Sequence, residues 1–224
     1  MRSLYFFPLT MLFIVLFFLF LIFLFFFVQV GLIGYAYERI GISAHAVFPL
    51  LFLSLFGSAI NIPITRVKSG PAVSRQVIDF FGMRYVIPSL PHEWTVVAVN
   101  VGGAVVPTLL SLYLLTHTGL FLRGLLGIAI VSAIVHQLAR PVPGVGIAVP
   151  LFVPPLIAAA VGLVLAPDHA PALAYIAGTM GCLIGADLLN LHRLAGLGAP
   201  VASIGGAGTF DGIFFTGIIA VLLT

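Results

Sequence analysis

The chain is a succession of long apolar runs separated by short polar joints, and the length of each run is what predicts its structure. Residues 4–35, LYFFPLTMLFIVLFFLFLIFLFFFVQVGLIGY, carry no charge over a stretch well beyond the ~20 residues that cross a bilayer, so they predict a long first helix. The run exceeds the apolar core of a signal peptide and no small-x-small cleavage site follows, so it reads as an uncleaved anchor whose excess is absorbed by tilt or projection. After Glu38 and Arg39, a second span is expected over 42–64, ended by Pro63 with Asn61 at the interface or as part of a broken helix end. Residues 66–93 form a polar connection holding Arg66, Lys68, Arg75 and Arg84. It reads either as a solvated loop or as a segment on the membrane surface with Val77, Ile78, Phe80 and Phe81 dipping inward.

A third span is expected over 94–116, where Asn100, Gly102, Gly103 and Pro107 permit close backbone approach and a kink. The fourth, 119–139, runs into VHQLARPVPG, and a helix persisting that far puts His136 and Arg140 one turn apart on one face. Residues 141–166 then contain Pro141, Pro143, Pro150, Pro154 and Pro155, which exclude a regular helix until the cluster ends, since each interior proline removes a hydrogen bond. Irregular backbone at membrane depth survives where protein buries it or water lines it, so part of this stretch should border a cavity. A sixth span is expected over 171–193 and a seventh from about 208 onward. The result is an all-α membrane protein forming one integral membrane domain over 1–224. It has about seven transmembrane helices, with broken or re-entrant segments near 141–155 and 194–211, and no strict internal repetition is evident.

Composition narrows the class. With 62% hydrophobic residues, 7% charged and a mean hydropathy of +1.27, a soluble globular domain is excluded, the lipid bilayer is the surrounding medium and no nucleic-acid partner is indicated. Charge sets the orientation. With the N-terminus cytoplasmic, inside segments hold Arg2, Arg66, Lys68, Arg75, Arg84, Arg140 and Arg193, and outside ends hold Arg39 and Arg123. That bias favours a multi-pass protein of the cell inner (cytoplasmic) membrane with the N-terminus in and the C-terminus out. A single cysteine, Cys182, excludes an intramolecular disulfide.

The candidate chemistry lies in the last quarter, an aspartate-bearing helical hairpin over 171–224. A carboxylate at membrane depth is costly, by roughly 2.5–3.5 kcal/mol on insertion scales, and two of them call for a reason. Asp187 lies near the end of the sixth span and Asp211 near the start of the seventh, which puts them at matching depth on consecutive antiparallel helices. Two carboxyls sharing a site hold one proton between them, so one can activate water while the other polarises a carbonyl. Asp187 and Asp211 are therefore the candidate catalytic pair, and one of them is expected to titrate above a free aspartate. Between them, Gly205, Gly206, Gly208 and Gly212 suit close approach of a substrate backbone or ion. Asn190, one turn after Asp187, is placed to orient it, and His136 and Arg140 complete the candidate binding residues. Gly181 and Gly185 have the spacing of a tight helix-packing seam. An alternative makes either aspartate a structural partner of Arg140, His136 or Arg193. The histidines His45, His92, His117, His136 and His169 are scattered without ligand spacing, so neither a metal nor another cofactor is expected.

The stretches VAVNVGGAVVPTLLSLYLL, ARPVPGVGIAVPLFVPPL, IGADLLNL and GAPVASIGGAGTFDGIF resemble an uncharacterised prokaryotic membrane family, domain of unknown function 1614, from about residue 50 onward. That resemblance implies a polytopic membrane fold and no particular activity. A more distant likeness is to intramembrane aspartyl proteases of the presenilin and signal peptide peptidase type, which carry one aspartate within a helix and another in G-x-G-D opening the next. It implies the first role for Asp187 in GADLL and the second for Asp211 in GTFDGIFF. This chain reads G-T-F-D in place of G-x-G-D and lacks the tyrosine before the first aspartate. Its Pro171, Ala172, Leu173 triplet lies upstream of Asp187 rather than after Asp211. Three readings follow: an aspartyl hydrolase acting on a membrane-protein or peptide substrate, a proton- or cation-coupled small-solute transporter with a midplane site framed by the broken segments, and a structural subunit or assembly factor of a membrane complex docked through the Phe-rich first helix.

Overall fold

Apolar runs become helices in this protein wherever no proline or cluster of β-branched residues intervenes. The computed structural model describes residues 8–68, 76–80, 83–87, 94–142, 146–196, 201–206 and 212–224. Among them are seven α-helices: α1 (Pro8–Arg39), α2 (Ala44–Gly57), α3 (Val106–Thr118), α4 (Phe121–Leu138), α5 (Val153–Leu165), α6 (Ala170–Cys182) and α7 (Gly212–Leu222). Four helical runs, Ile14–Arg39, Val101–Thr118, Phe121–Leu138 and Pro167–Arg193, are long and apolar enough to cross a membrane. The other three helices, α2, α5 and α7, hold 14, 13 and 11 residues. At 1.5 Å per residue they reach only about 16–21 Å of a ~30 Å hydrocarbon layer, so non-helical backbone must complete their depth.

That backbone is extended, and here several expected span boundaries are corrected. The second span stops at Gly57, and the chain continues as β1 (Asn61–Lys68), since Ile62, Ile64, Thr65 and Val67 favour a pleated strand and Pro63 cannot donate within a helix. Pro63 is tolerated because β1 is an edge strand and its register shifts between Pro63 and Thr65. The third span loses its first seven residues to β4 (Trp94–Asn100), where Thr95, Val96, Val97 and Val99 repeat that preference. Within the polar connection 66–93, β2 (Gln76–Phe80) and β3 (Met83–Ile87) pair as an antiparallel hairpin in place of a loop, while Arg75 and Phe81 lie outside the described residues. The fourth helix ends at Leu138, so His136 and Arg140 do not share a helical face. Arg140 precedes Pro141, which disfavours helical backbone before it, and opens β5 (Arg140–Val142) against β6 (Gly146–Ala148). Among the described residues of the proline cluster no α-helix forms before Val153, and α5 then takes Pro154 and Pro155 into its first turn, where a missing N–H costs nothing.

In the last broken segment, β7 (Val201–Ile204) adds to the other side of β4, giving a sheet in the order β1, β4, β7 with β4 and β7 parallel. It therefore pairs with residues 96–99.

The helices assemble around α6. Its Leu173, Ala174, Ile176 and Ala177 are completely buried, and small residues on neighbouring surfaces let three helices touch it. A Cβ on Gly162 of α5 would lie 2.6 Å from the Ala170 carbonyl, one on Gly127 of α4 would lie 3.2 Å from Ala177, and one on Gly217 of α7 would lie 2.6 Å from Thr179. Hydroxyl pairs reinforce the contacts, with Ser111 of α3 at 3.0 Å from Thr179. By contrast, α1 stands clear of the bundle over most of its length and joins it only near its end, through buried Ala36, Tyr37 and Ile40.

Candidate functional site

The helical run that begins as α6 changes character before it ends. Residues Leu183–Asp187 wind as a π-helical turn and Leu188–Gly196 as a 3₁₀ segment. The wide turn is fixed from two sides. Gly185 sits against α4 so closely that a Cβ there would lie 2.5 Å from the Ser132 carbonyl, and one on Gly181 would lie 2.5 Å from Val131, so the expected small-residue seam is a real contact. Asn190, completely buried, directs its amide nitrogen to the carbonyls of Gly185 and Ala186 at 2.9 Å each and to Nδ1 of His136 at 3.1 Å. These are the two carbonyls that precede Asp187. π-turns inserted into α-helices are frequent at functional sites.

Asp187 is half-buried, and its Oδ2 accepts a hydrogen bond from the backbone N–H of Gly205 at 2.7 Å. Gly205 has φ +85° and Gly206 φ +91°, left-handed backbone that favours glycine. The strand end that presents Gly205 is held in turn. Its carbonyl packs directly on Gly103, where a Cβ would come within 1.8 Å of it. Gly103 belongs to a second π-helical turn, Val101–Val105, whose first amide groups are capped by Asn100: its Oδ1 accepts from the Gly103 N–H at 2.7 Å. The Nδ2 of Asn100 donates to the Ser58 carbonyl at 2.7 Å and to Oδ1 of Asn61 at 3.1 Å, and Ser203 donates to that same Oδ1 at 2.5 Å. Asn61, Asn100 and Ser203 thus tie β1, β4 and β7 together one residue short of the turn that reaches Asp187.

Asp187 also borders a recess of about 270 Å³. Its polar end is formed by Asp187, Thr216 and Cys182, the last two 3.7 Å apart, and its apolar walls by residues 147–151, Pro154, Ala186 and Ile213. Gly212, the residue after Asp211, lines the same recess.

Of the expected site residues, Asp187, Gly205 and Gly212 meet here, with Gly206 next to Gly205. Asn190 and His136 meet each other behind the π-turn. Arg140 is exposed on β5 and does not line the recess, while Asp211 and Gly208 lie outside the described residues. Asn61, Asn100 and Ser203, and the polar contributions of Thr216 and Cys182, do not stand out in the sequence as members of the site. A signal was present: V-A-V-N-V-G-G-A over 97–104 returns as V-A-S-I-G-G-A over 201–207, each copy spanning a strand that leads into a glycine pair. The relation is looser than strict repetition, one residue shorter in the second copy.

Asn190 offers a test of the clip. Replacement by alanine leaves the buried Gly185 and Ala186 carbonyls without their donor, at roughly 1–3 kcal/mol for each, and the half-buried His136 free to find another partner. One part is recovered, since the Asn190 Oδ1 finds no hydrogen-bond partner among the described residues and is removed too. A net loss of about 1–3 kcal/mol is expected from thermal unfolding in detergent. A change below about 0.5 kcal/mol, the usual range for surface substitutions, would mean that the clip carries no weight.

These features define a polytopic helical membrane protein whose transmembrane helices are interrupted by short strands around one carboxylate-bearing recess. No curated protein and no solved structure matches the chain. Residues 55–223 match the family described as protein of unknown function (DUF1614), and the chain belongs to that family. The match begins within α2, so α1 precedes it.

Proposed function

We propose that this protein is an intramembrane aspartyl hydrolase in which Asp187 and Asp211 share one proton and act on an amide bond of a membrane-embedded peptide. The observation that carries the reading is that Asp187 and Gly212, the neighbour of Asp211 in the chain, line the same recess. An ionised carboxylate removes a proton from water, the water oxygen attacks the amide carbonyl, and the protonated partner polarises that carbonyl. Collapse of the tetrahedral adduct returns a proton to the leaving nitrogen. Gly205 donates to Asp187 through its backbone, which fixes the carboxylate plane without introducing a competing charge. The test is cleavage of a fluorogenic transmembrane peptide by the protein reconstituted in liposomes, with product ends read by mass spectrometry.

A second reading, a proton- or cation-coupled transporter, is favoured by one observation. The two strand and glycine-pair units interrupt the helical bundle side by side, as paired interruptions do in transporters built from internal repeats. In the same liposomes, proton or cation uptake that depends on Asp187, without peptide cleavage, would select it.

The proposed orientation has the N-terminus cytoplasmic, on the distribution of basic residues. A reporter cysteine at exposed Arg140, in a Cys182→Ala background, should then react with a membrane-impermeant maleimide from the cytoplasmic side. Reaction from the opposite side only would reverse the orientation.

A further inference from the structure

We infer that the recess beside Asp187 is a subsite for apolar side chains of a peptide that enters from the lipid. This deepens the hydrolase reading and rests on it for the identity of the bond that reacts. The recess is smaller than the ~300–1,000 Å³ of pockets that hold drug-sized ligands, so about 270 Å³ suits one or two side chains. Its rim is apolar and open: Ala148, Pro150 and Leu151 are exposed, and Leu151 continues into exposed Phe152. In a bilayer such a rim meets acyl chains, so an occupant arrives sideways.

Charge decides which apolar occupant fits. The polar end of the recess carries a carboxylate with a hydroxyl and a thiol beside it, and among the described residues no Lys, Arg or His lines it. A phosphodiester headgroup would be repelled there, whereas a peptide brings amide N–H groups that a carboxylate or hydroxyl accepts. Selectivity inside a bilayer cannot come from leaving water, because lipid tails are as apolar as leucine. It must come from packing against Ile147, Val149, Pro154 and Ile213, which favours branched side chains over glycine.

The structure supplies a plug. Among the described residues a Cβ built on Gly212, which lines the recess, meets nothing within 4 Å, so Gly212→Leu can project into the recess without moving that backbone. The experiment uses the full chain in liposomes, with a photoreactive benzophenone amino acid replacing Leu151 at the rim, or Leu122, 81% exposed on α4, as the control. The probes are a transmembrane peptide carrying two adjacent leucines at mid-depth and its counterpart with two glycines. Crosslinking at 151 should exceed that at 122, and should favour the leucine peptide by roughly fivefold, the scale of packing contacts within bilayers. Gly212→Leu should remove the preference with an unchanged unfolding temperature, and Ala148→Trp serves as a second plug if that variant does not fold. Equal crosslinking at both positions, equal crosslinking of both peptides, or adducts mainly with phospholipid would each overturn the subsite. Failure of the two ideas can be told apart: leucine-selective crosslinking without cleavage keeps the subsite and removes the hydrolase, and cleavage indifferent to leucine does the reverse.

Discussion

Asp187→Asn should reduce peptide cleavage by roughly 10²–10⁴-fold, the usual worth of a positioned acid or base, while leaving the protein folded. The two outcomes separate because the hydrolase reading gives the side chain a second job beside its hydrogen bond. As an acceptor from the Gly205 N–H at 2.7 Å it is replaceable, since an asparagine Oδ1 accepts the same bond and only its charge assistance is lost, a cost of about 1 kcal/mol. As a proton carrier it is not replaceable, because an amide cannot exchange the proton that water must lose. Asp211→Asn should lose activity on the same scale. The measurement is a pair: initial cleavage rate in liposomes and unfolding temperature in detergent. Retained cleavage in Asp187→Asn would end the hydrolase reading, whereas a collapse in unfolding temperature would make Asp187 a structural anchor.

The largest stability effect is expected at a glycine far from Asp187 in sequence. A methyl group on Gly103 would lie 1.8 Å from the Gly205 carbonyl oxygen and 2.9 Å from its carbon, so backbone rather than a side-chain tip must give way. Gly205 has little freedom to yield, being held at φ +85° with its N–H on Asp187. Overpacking in closed cores costs about 1–3 kcal/mol, and the loss of the Asp187 bond adds to it. Gly103→Ala should therefore remove about 3 kcal/mol or more, enough to lower the yield of folded protein when native stabilities are only ~5–15 kcal/mol. Gly31→Ala is the control. Nothing among the described residues lies within 4 Å of its added methyl group, and alanine is the better helix former by about 0.8–1.0 kcal/mol, so α1 should tolerate it or gain. Similar losses at both glycines would refute the contact.

The helical part of this fold was legible because hydrophobic length decides it. Thirty-two residues from Pro8 to Arg39 have no other solution in a bilayer, and Pro141, Pro143 and Pro150 exclude helix before α5. What escaped was the extended backbone. Trp94–Asn100 is as apolar as a helix, and apolarity alone does not distinguish a buried strand from a span; only the run of Thr95, Val96, Val97 and Val99 argued otherwise. The candidate site was legible in Asp187, since a carboxylate among apolar residues advertises its cost. Its neutral members were not. Asn61, Asn100 and Ser203 are ordinary boundary residues until strands 105 residues apart are laid side by side, a long-range pairing that no local pattern encodes.

That pairing also dictates an order of assembly. Val96 must wait for Val201, which leaves the ribosome roughly 5–20 s later at ordinary rates of synthesis. During that interval one edge of β4 has no strand to bond, and inside a bilayer an unpaired edge is expensive. Asn100 can already bond Ser58 and Asn61, so the earlier half can be held together by side chains before its last strand arrives. The carboxylate at 187 gains its backbone donor only when that strand docks, so the recess should be the final part of the molecule to form. A chain truncated before Val201 would expose an unfinished edge to the membrane, a recognisable signal for the proteases that clear incomplete membrane proteins.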